Sequence, residues 1–306
     1  MPRPYRGRFA PSPTGDLHLG SLMAALASYL EARQAGGEWL LRVEDLDPPR
    51  TVPGAAERIL RVLEAYGFEW DGEVCYQSRR GELYLAAIER LKSVDMLYGC
   101  ACTRKEIAAI AHAGIDGPVY PGTCRGGLAA GVEARAWRVR TDDAVVGYPD
   151  RIQGWQQQNL AQQVGDFVLL RADGLVAYQL AVVVDDAAQG VTDVVRGSDL
   201  LDSTPRQIRL QQLLDFATPG YAHIPVLVNE HGEKLSKQTL ARPLDPDCGV
   251  EGLVAALRLL GQSPPASLLR ASRSEVWAWA LAHWRMDALT GRRTVAIGEI
   301  GSVSGG

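Results

Sequence analysis

The sequence predicts an α/β fold: a doubly wound, largely parallel sheet, split by an irregular insertion and followed by a small helical C-terminal part. Three observations predict it. Strand-like and helix-like segments alternate up to about residue 96. That rhythm fails between Leu97 and Gly165, then returns, and beyond Gly249 the spacing is purely helical. Alternation of short apolar runs with 3.6-residue patterns is what βαβ units leave in a sequence.

Residues 5–10 read as a short strand that runs into Pro11, Pro13 and Gly15. Leu22, Met23, Leu26 and Leu30 fall at helical spacing, which places a helix start near His18. Trp39 to Val43 is a strand apolar on both faces, as in a parallel sheet. Ile59, Leu60, Leu63 and Tyr66 mark a second helix, and Tyr84, Ala87, Ile88 and Leu91 a third. The stretch 97–165 carries a cysteine cluster, many glycines and a Gln/Asn segment from Gln153 to Gln163 without clear period, so it reads as an insertion. Regularity resumes with a strand at Phe167–Arg171, the apolar run Leu180–Val184 and a strand at Val191–Arg196. Thr204 as N-cap, Pro205 in the first turn and Gln207 closing a capping box start a further helix. Ile224 to Val228 is another buried strand, and the sets Leu253, Ala256, Leu257, Leu260 and Val276, Trp277, Ala280, Leu281, Trp284 are helical. The resulting division is 1–96 for the first half of the α/β domain, 97–165 for the insertion, 166–248 for the second half, 249–290 for the helical C-terminal region, and 291–306 for a Gly/Ser-rich flexible tail.

Composition narrows the function classes. No apolar run approaches the roughly 18 residues of a membrane helix, and the start has no apolar core of an export signal. A cytoplasmic, monomeric protein with no membrane partner is expected. The net charge of −4 argues against a general electrostatic coat for nucleic acid, so any RNA must be held by local patches, chiefly arginine. The five cysteines, Cys75, Cys100, Cys102, Cys124 and Cys248, form an odd set better read as metal ligands or buried thiols than as disulfides.

The segment Arg8-Phe-Ala-Pro-Ser-Pro-Thr-Gly-Asp-Leu-His-Leu-Gly20 joins a strand end, a loop stiffened by prolines and a helix start. A helix N-terminus offers free N–H groups and a positive dipole end to phosphate. Gly20 lets a base or ribose lie against the backbone, and His18 can donate to a phosphoryl oxygen as its charge grows. Lys234-Leu-Ser-Lys237 in a polar loop can neutralise a leaving pyrophosphate. Arg8 and Glu44 stand at the ends of successive strands, where ligands of open α/β sheets sit. Arg8 can grip a carboxylate with its planar fork, and Glu44 can pair an ammonium.

Taken together, the order and spacing of these segments resemble the two signatures of class I aminoacyl-tRNA synthetases, and Arg-Phe-Ala-Pro-Ser-Pro-Thr-Gly resembles their glutamate branch. The resemblance covers roughly residues 5–245. It implies a Rossmann-like sheet split by a zinc-binding insertion, ATP bound with Mg²⁺ at His18, Gly20, Ser236 and Lys237, and catalysis by His18, Gly20, Lys234 and Lys237. For L-glutamate it implies Arg8, Ala10, Ser12, Glu44, Tyr178 and Arg196, with Arg196 on the side-chain carboxylate. The plainer reading of Arg196 is a salt bridge to Asp193 or Asp199.

Cys100, Cys102 and Cys124 within the insertion suggest one structural zinc, the alternative being reduced thiols without metal. The pattern resembles a short branch of the family in which Tyr120 is the fourth ligand. Only 306 − 238 = 68 residues follow Gln238, too few for the family's anticodon-binding portion. That branch activates glutamate without tRNA and attaches it to the queuosine base in the anticodon loop of tRNA(Asp). Rival expectations are a truncated synthetase that charges the 3′ end of tRNA, a non-catalytic RNA-binding or amino-acid-sensing paralogue, and a small nucleotidyltransferase.

Overall fold

The computed structural model describes residues 3–234 and 242–300. Its strands are β1 (Arg6–Phe9), β2 (Glu38–Val43), β3 (Cys75–Tyr76), β4 (Leu97–Cys100), β5 (Ala113–Gly114), β6 (Gly117–Pro118), β7 (Ala136–Val139), β8 (Val145–Asp150), β9 (Gly154–Asn159), β10 (Val168–Leu170), β11 (Asp193–Gly197), β12 (Gly220–Ile224), β13 (Val226–Val228) and β14 (Thr294–Ala296). Its α-helices are α1 (Leu19–Gln34), α2 (Ala55–Ala65), α3 (Gly81–Ser93), α4 (Arg104–Ile110), α5 (Leu160–Gln163), α6 (Tyr178–Ala188), α7 (Thr204–Leu213), α8 (Gly249–Leu259) and α9 (Arg273–His283). Among the described residues no helix is long and apolar enough to cross a membrane.

The strands β1, β2 and β3 are parallel, and so are β11, β12 and β8. The two sets adjoin where the Thr192 amide donates to the Arg6 carbonyl at 2.9 Å and the Arg6 amide donates to Thr192 Oγ1 at 2.8 Å. From β1 the chain winds one way to β2 and β3, and from β11 the other way to β12. That reversal is a topological switch point, and the crevice outside the strands' carboxyl ends is where such sheets bind ligands.

Helix α1 crosses this junction and is apolar nearly all round, as a helix covered on both sides must be. Leu22, Met23, Leu26 and Leu30 are fully buried against the sheet and α8, each worth about 1.5–3 kcal/mol relative to exposure. Phe9, Tyr29, Trp39, Phe68 and Trp277 stack in the same core. The C-terminal helices are therefore part of the main core, through Leu253, Leu257, Val276 and Trp284.

Four expectations are corrected. The boundaries of the insertion interleave with the main sheet: β10, assigned to the second half, pairs antiparallel with β7 in the sheet β10-β7-β4, whereas β8, assigned to the insertion, pairs with β12. The aperiodic Gln/Asn segment is β9, a polar edge strand hairpinned onto β8, whose alternating burial seats Val146 and Tyr148. Helix α7 has Ser203, not Thr204, at its N-cap and no side-chain cap: Ser203 Oγ accepts from Gln179, and Thr204, in the first turn, accepts from Arg196. Finally, the tail expected at 291–306 contributes β14, parallel to β13, with Val295 buried; the run Val295-Ala-Ile is too short to give a periodic signal.

Candidate active site

Two cavities meet at the switch point. The first, about 630 Å³, is lined by Phe9, Pro11, Ser12, Thr14, Leu17, His18, Gly20, Ser21, Ala24, Arg50, Gly197, Asp199, Ile224 to Leu227, and Lys234. The second, about 480 Å³, is lined by Arg8, Phe9, Ala10, Ser12, Ala24, Glu44, Arg50, Tyr178, Val195, Arg196, Gly197 and Leu200. Phe9, Ser12, Ala24, Arg50 and Gly197 belong to both walls. The sequence-predicted residues Arg8, Ala10, Ser12, Glu44, Tyr178 and Arg196 thus share one cavity, and His18, Gly20 and Lys234 its neighbour. Ser236 and Lys237 lie outside the described residues.

His18 is the N-cap of α1. Its Nδ1 accepts from the Ser21 amide at 3.2 Å in a reciprocal capping box. A neutral imidazole that accepts at Nδ1 carries its proton on Nε2, so the cap fixes His18 as an Nε2–H donor. Gly20 serves the same geometry, since a Cβ there would stand 3.2 Å from the His18 ring. Lys234 Nζ pairs with Asp199 at 2.6 Å on the far wall, and the Leu244 amide donates to the Leu17 carbonyl at 2.8 Å.

Charge in the second cavity is unevenly compensated. Arg8 Nε lies 3.2 Å and Arg42 Nη2 2.8 Å from the buried Asp186 carboxylate, and Glu44 is 3.4 Å from Arg42. Burial pushes Asp186 up, but Arg8 and Arg42 more than offset it and hold it below the usual carboxylate range. Burial keeps Glu44 above that range against the pull of Arg42 and Arg8. One edge of the Arg8 fork is therefore already spent on the protein.

Arg196 differs. It is 5% exposed, and its hydrogen-bond partners are His223 Nε2 at 3.0 Å, Thr204 Oγ1 at 2.8 Å and the Leu200 carbonyl at 3.5 Å. All are neutral. Among the described residues it forms no salt bridge to Asp193 or Asp199, and its buried Nη1 has no hydrogen-bond partner. Asp193 is bonded to Thr192, and Asp199 to Lys234.

The cysteines converge as expected. Cys100, Cys102 and Cys124 place their sulfurs within 4.8 Å of one another. The Tyr120 hydroxyl stands 3.4 Å from Cys100 Sγ and 3.7 Å from Cys102 Sγ. Cys100, Tyr120 and Cys124 are buried; the Arg138 guanidinium lies 4.0 Å over the Tyr120 ring in a cation–π contact, while burial and the cysteine hydrogen bonds push the Tyr120 hydroxyl up. Soft sulfur donors at this separation with one oxygen suit tetrahedral zinc. His112 bonds the Gln162 carbonyl, and Cys75 and Cys248 stand apart from the cluster.

Sequence reasoning missed Arg50, Asp199, and the buried set Arg42, Asp150, Asp185, Asp186 and His223. Arg50 sits in a short 3₁₀ turn after β2 that no periodicity announces. The adjacent Asp185-Asp186 pair at the end of the apolar run Leu180–Val184 was a visible signal, because buried charge within an apolar helix must be partnered. Asp185 meets Gln77, Arg80 and Tyr84.

Residues 5–268 match the family described as tRNA synthetases class I (E and Q), catalytic domain. The chain is 62% identical over 291 residues to the glutamyl-Q tRNA(Asp) synthetase of Dechloromonas aromatica (strain RCB), covering 94% of this chain and 97% of that protein. It is 62% identical over 283 residues to the glutamyl-Q tRNA(Asp) synthetase of Chromobacterium violaceum, covering 92% and 94%. A glutamate tRNA ligase of Elizabethkingia meningosepticum, crystallised with its amino acid, superposes with a TM-score of 0.81 at 24% identity, covering 97% of this chain and 68% of that one.

Proposed function

The chain belongs to the family of class I tRNA synthetases for glutamate and glutamine, and from that premise we propose that it activates L-glutamate with Mg·ATP without RNA, then transfers glutamate to the queuosine base in the anticodon loop of tRNA(Asp). The observation that carries the first half is the pair of adjoining cavities, one walled by His18, Gly20 and Lys234, the other holding a buried arginine that, among the described residues, pairs with no carboxylate. A ligand with a free side-chain carboxylate completes the second cavity. The names of the relatives support the acceptor.

In this reading Glu44 pairs the substrate ammonium beside Tyr178, and Arg196 takes the side-chain carboxylate. The α-carboxylate then points to the shared wall at Ser12 and Arg50, where the α-phosphate of ATP meets it. A carboxylate oxygen attacks that phosphorus, the bond to the β-phosphate breaks, and pyrophosphate leaves. His18 Nε2–H and Lys234, with Ser236 and Lys237 beyond it, stabilise the charge that grows on the phosphates. No protein base is needed, because the nucleophile is already an anion. In the second step the acceptor on the queuosine base attacks the adenylate carbonyl and AMP leaves.

Cys100, Cys102, Tyr120 and Cys124 would hold one zinc, which when bound pins the base of the insertion and takes no part in the reaction. Pyrophosphate exchange without RNA tests the activation step: it should respond to glutamate alone among the amino acids, and silence with glutamate removes the proposal. Labelled glutamate should pass to tRNA(Asp) from queuosine-containing cells. Label on the 3′ end of a tRNA from queuosine-free cells would favour the truncated-synthetase reading instead.

A further inference from the structure

Behind Arg196 lies a buried relay that the mechanism above does not use. Asp150 ends β8 and His223 lies on β12; both side chains are fully buried, with His223 Nδ1 2.6 Å from Asp150 Oδ2. The other oxygen, Oδ1, accepts backbone N–H groups of Ile152 at 3.0 Å, Gln153 at 2.9 Å and His223 at 3.2 Å. A carboxylate with four donors is satisfied as an anion, so the His223 proton sits on Nδ1 and Nε2 is left as an acceptor. Nε2 faces Arg196 Nε at 3.0 Å and Thr204 Oγ1 at 3.2 Å. Tyr221 stacks on the imidazole with an interplanar angle of 14° and itself receives a hydrogen bond from Gln211.

We propose that His223, braced by Asp150, is a positioning residue for amino-acid selection: its Nε2 orients the Arg196 guanidinium as a neutral acceptor, leaving the positive charge of Arg196 to the substrate's side-chain carboxylate. This rests on the glutamate-activation reading. The chemistry explains why a histidine stands there. A carboxylate in direct contact with Arg196 would orient it equally well, but would compete with the substrate's carboxylate and let an uncharged amide bind as readily. Moving the anion one imidazole further back keeps the orientation and removes the competition. Burial supports the assignment by driving the His223 imidazolium down to about 4, so the ring stays neutral at working pH despite Asp150.

The test uses pyrophosphate exchange on the whole chain. His223→Leu removes the acceptor at similar volume. It should raise the KM for glutamate about 10- to 100-fold, the worth of a hydrogen bond to a charged group, leave the KM for ATP within about twofold, and narrow the glutamate-over-glutamine preference. His223→Gln restores a donor and an acceptor and should recover most of the loss, which a merely structural role would not predict. An unaltered glutamate KM in His223→Leu, or a His223→Gln variant no better than His223→Leu, overturns the proposal. Should the variants not fold, ¹⁵N shifts of the wild-type histidine decide: Nδ1 protonated with Nε2 bare at neutral pH agrees, and the opposite tautomer refutes. A wild type silent with glutamate fails the parent reading and this one with it, whereas an active wild type with an indifferent His223→Leu fails this one alone.

Discussion

Arg196→Met isolates the substrate's share of the pocket charge. The side chain is 5% exposed, and its partners, His223, Thr204 and the Leu200 carbonyl, carry no charge. Among the described residues there is therefore no ion pair to lose, and the loss is expected to fall on the ligand. Depriving a buried carboxylate of its cation costs about 3–5 kcal/mol. At about 1.4 kcal/mol per decade, kcat/KM for glutamate should fall about 100- to 4,000-fold. The side-chain carboxylate is remote from the reacting one, so the fall should appear mainly in KM. Glutamine has no charge to lose there, and the preference for glutamate should shrink accordingly. The folded state sheds a desolvated cation while losing its hydrogen bonds, so Tm should stay within about 4 °C of wild type. The assay is pyrophosphate exchange over a range of glutamate and glutamine, with a thermal melt alongside. A fall in kcat at unchanged glutamate KM, or equal losses for both amino acids with Tm down by more than about 10 °C, would refute the argument.

Other perturbations probe the remaining parts. Asp186 is held low because Arg8 and Arg42 outweigh its burial; such a group contributes stability above its unfolded pKa of about 3.9, lost as pH falls through the folded value. Asp186→Asn should cost about 3–5 kcal/mol at pH 7 in urea unfolding, with the gap to wild type closing on the acid side; a gap indifferent to pH contradicts the pairing. The purified chain should carry about one zinc per molecule, and Cys124→Ser or chelation should abolish it and lower the melting temperature; no metal after growth in zinc-supplemented medium removes the zinc proposal. Lys237→Ala should depress exchange about 10²- to 10³-fold with glutamate binding by calorimetry intact, and unchanged exchange would contradict its role.

The residues at strand ends were legible in the sequence because the chain writes them locally. Arg8, Ser12, His18 and Gly20 occupy one strand–loop–helix passage, and Glu44 follows an unmistakable buried strand. What stayed hidden was long-range. His223 meets Asp150 across 73 residues, and Arg8 meets Asp186 across 178; no periodicity encodes such pairs. Thr204 shows the conflict directly. Its sequence context asks for an N-cap, yet the helix forgoes that cap and spends the hydroxyl on Arg196 at 2.8 Å. A local rule broken without local compensation is expected where a site outbids it. The insertion's boundaries failed for another reason: β8 and β10 each pair with strands on the other side of the expected division, and short strands do not declare their sheet.

The distribution of charge also bears on why selection need not interfere with the reaction. Among the described residues of the second cavity, Arg8 and Arg42 are balanced by Asp186 and Glu44, so the surplus positive charge is that of Arg196. Glutamate's ammonium and side-chain carboxylate keep their charges throughout, whereas its α-carboxylate loses charge as it becomes the mixed anhydride. Strong grip on the α-carboxylate would stabilise the ground state against the transition state. On the proposed function, a pocket that spends its buried arginine on the remote carboxylate would avoid that penalty and still reject glutamine, which would leave the arginine desolvated and unmatched. Aspartate falls a methylene short of the same guanidinium. In that proposal the neutral brace of His223 makes the arrangement possible, since it would fix the arginine without satisfying it.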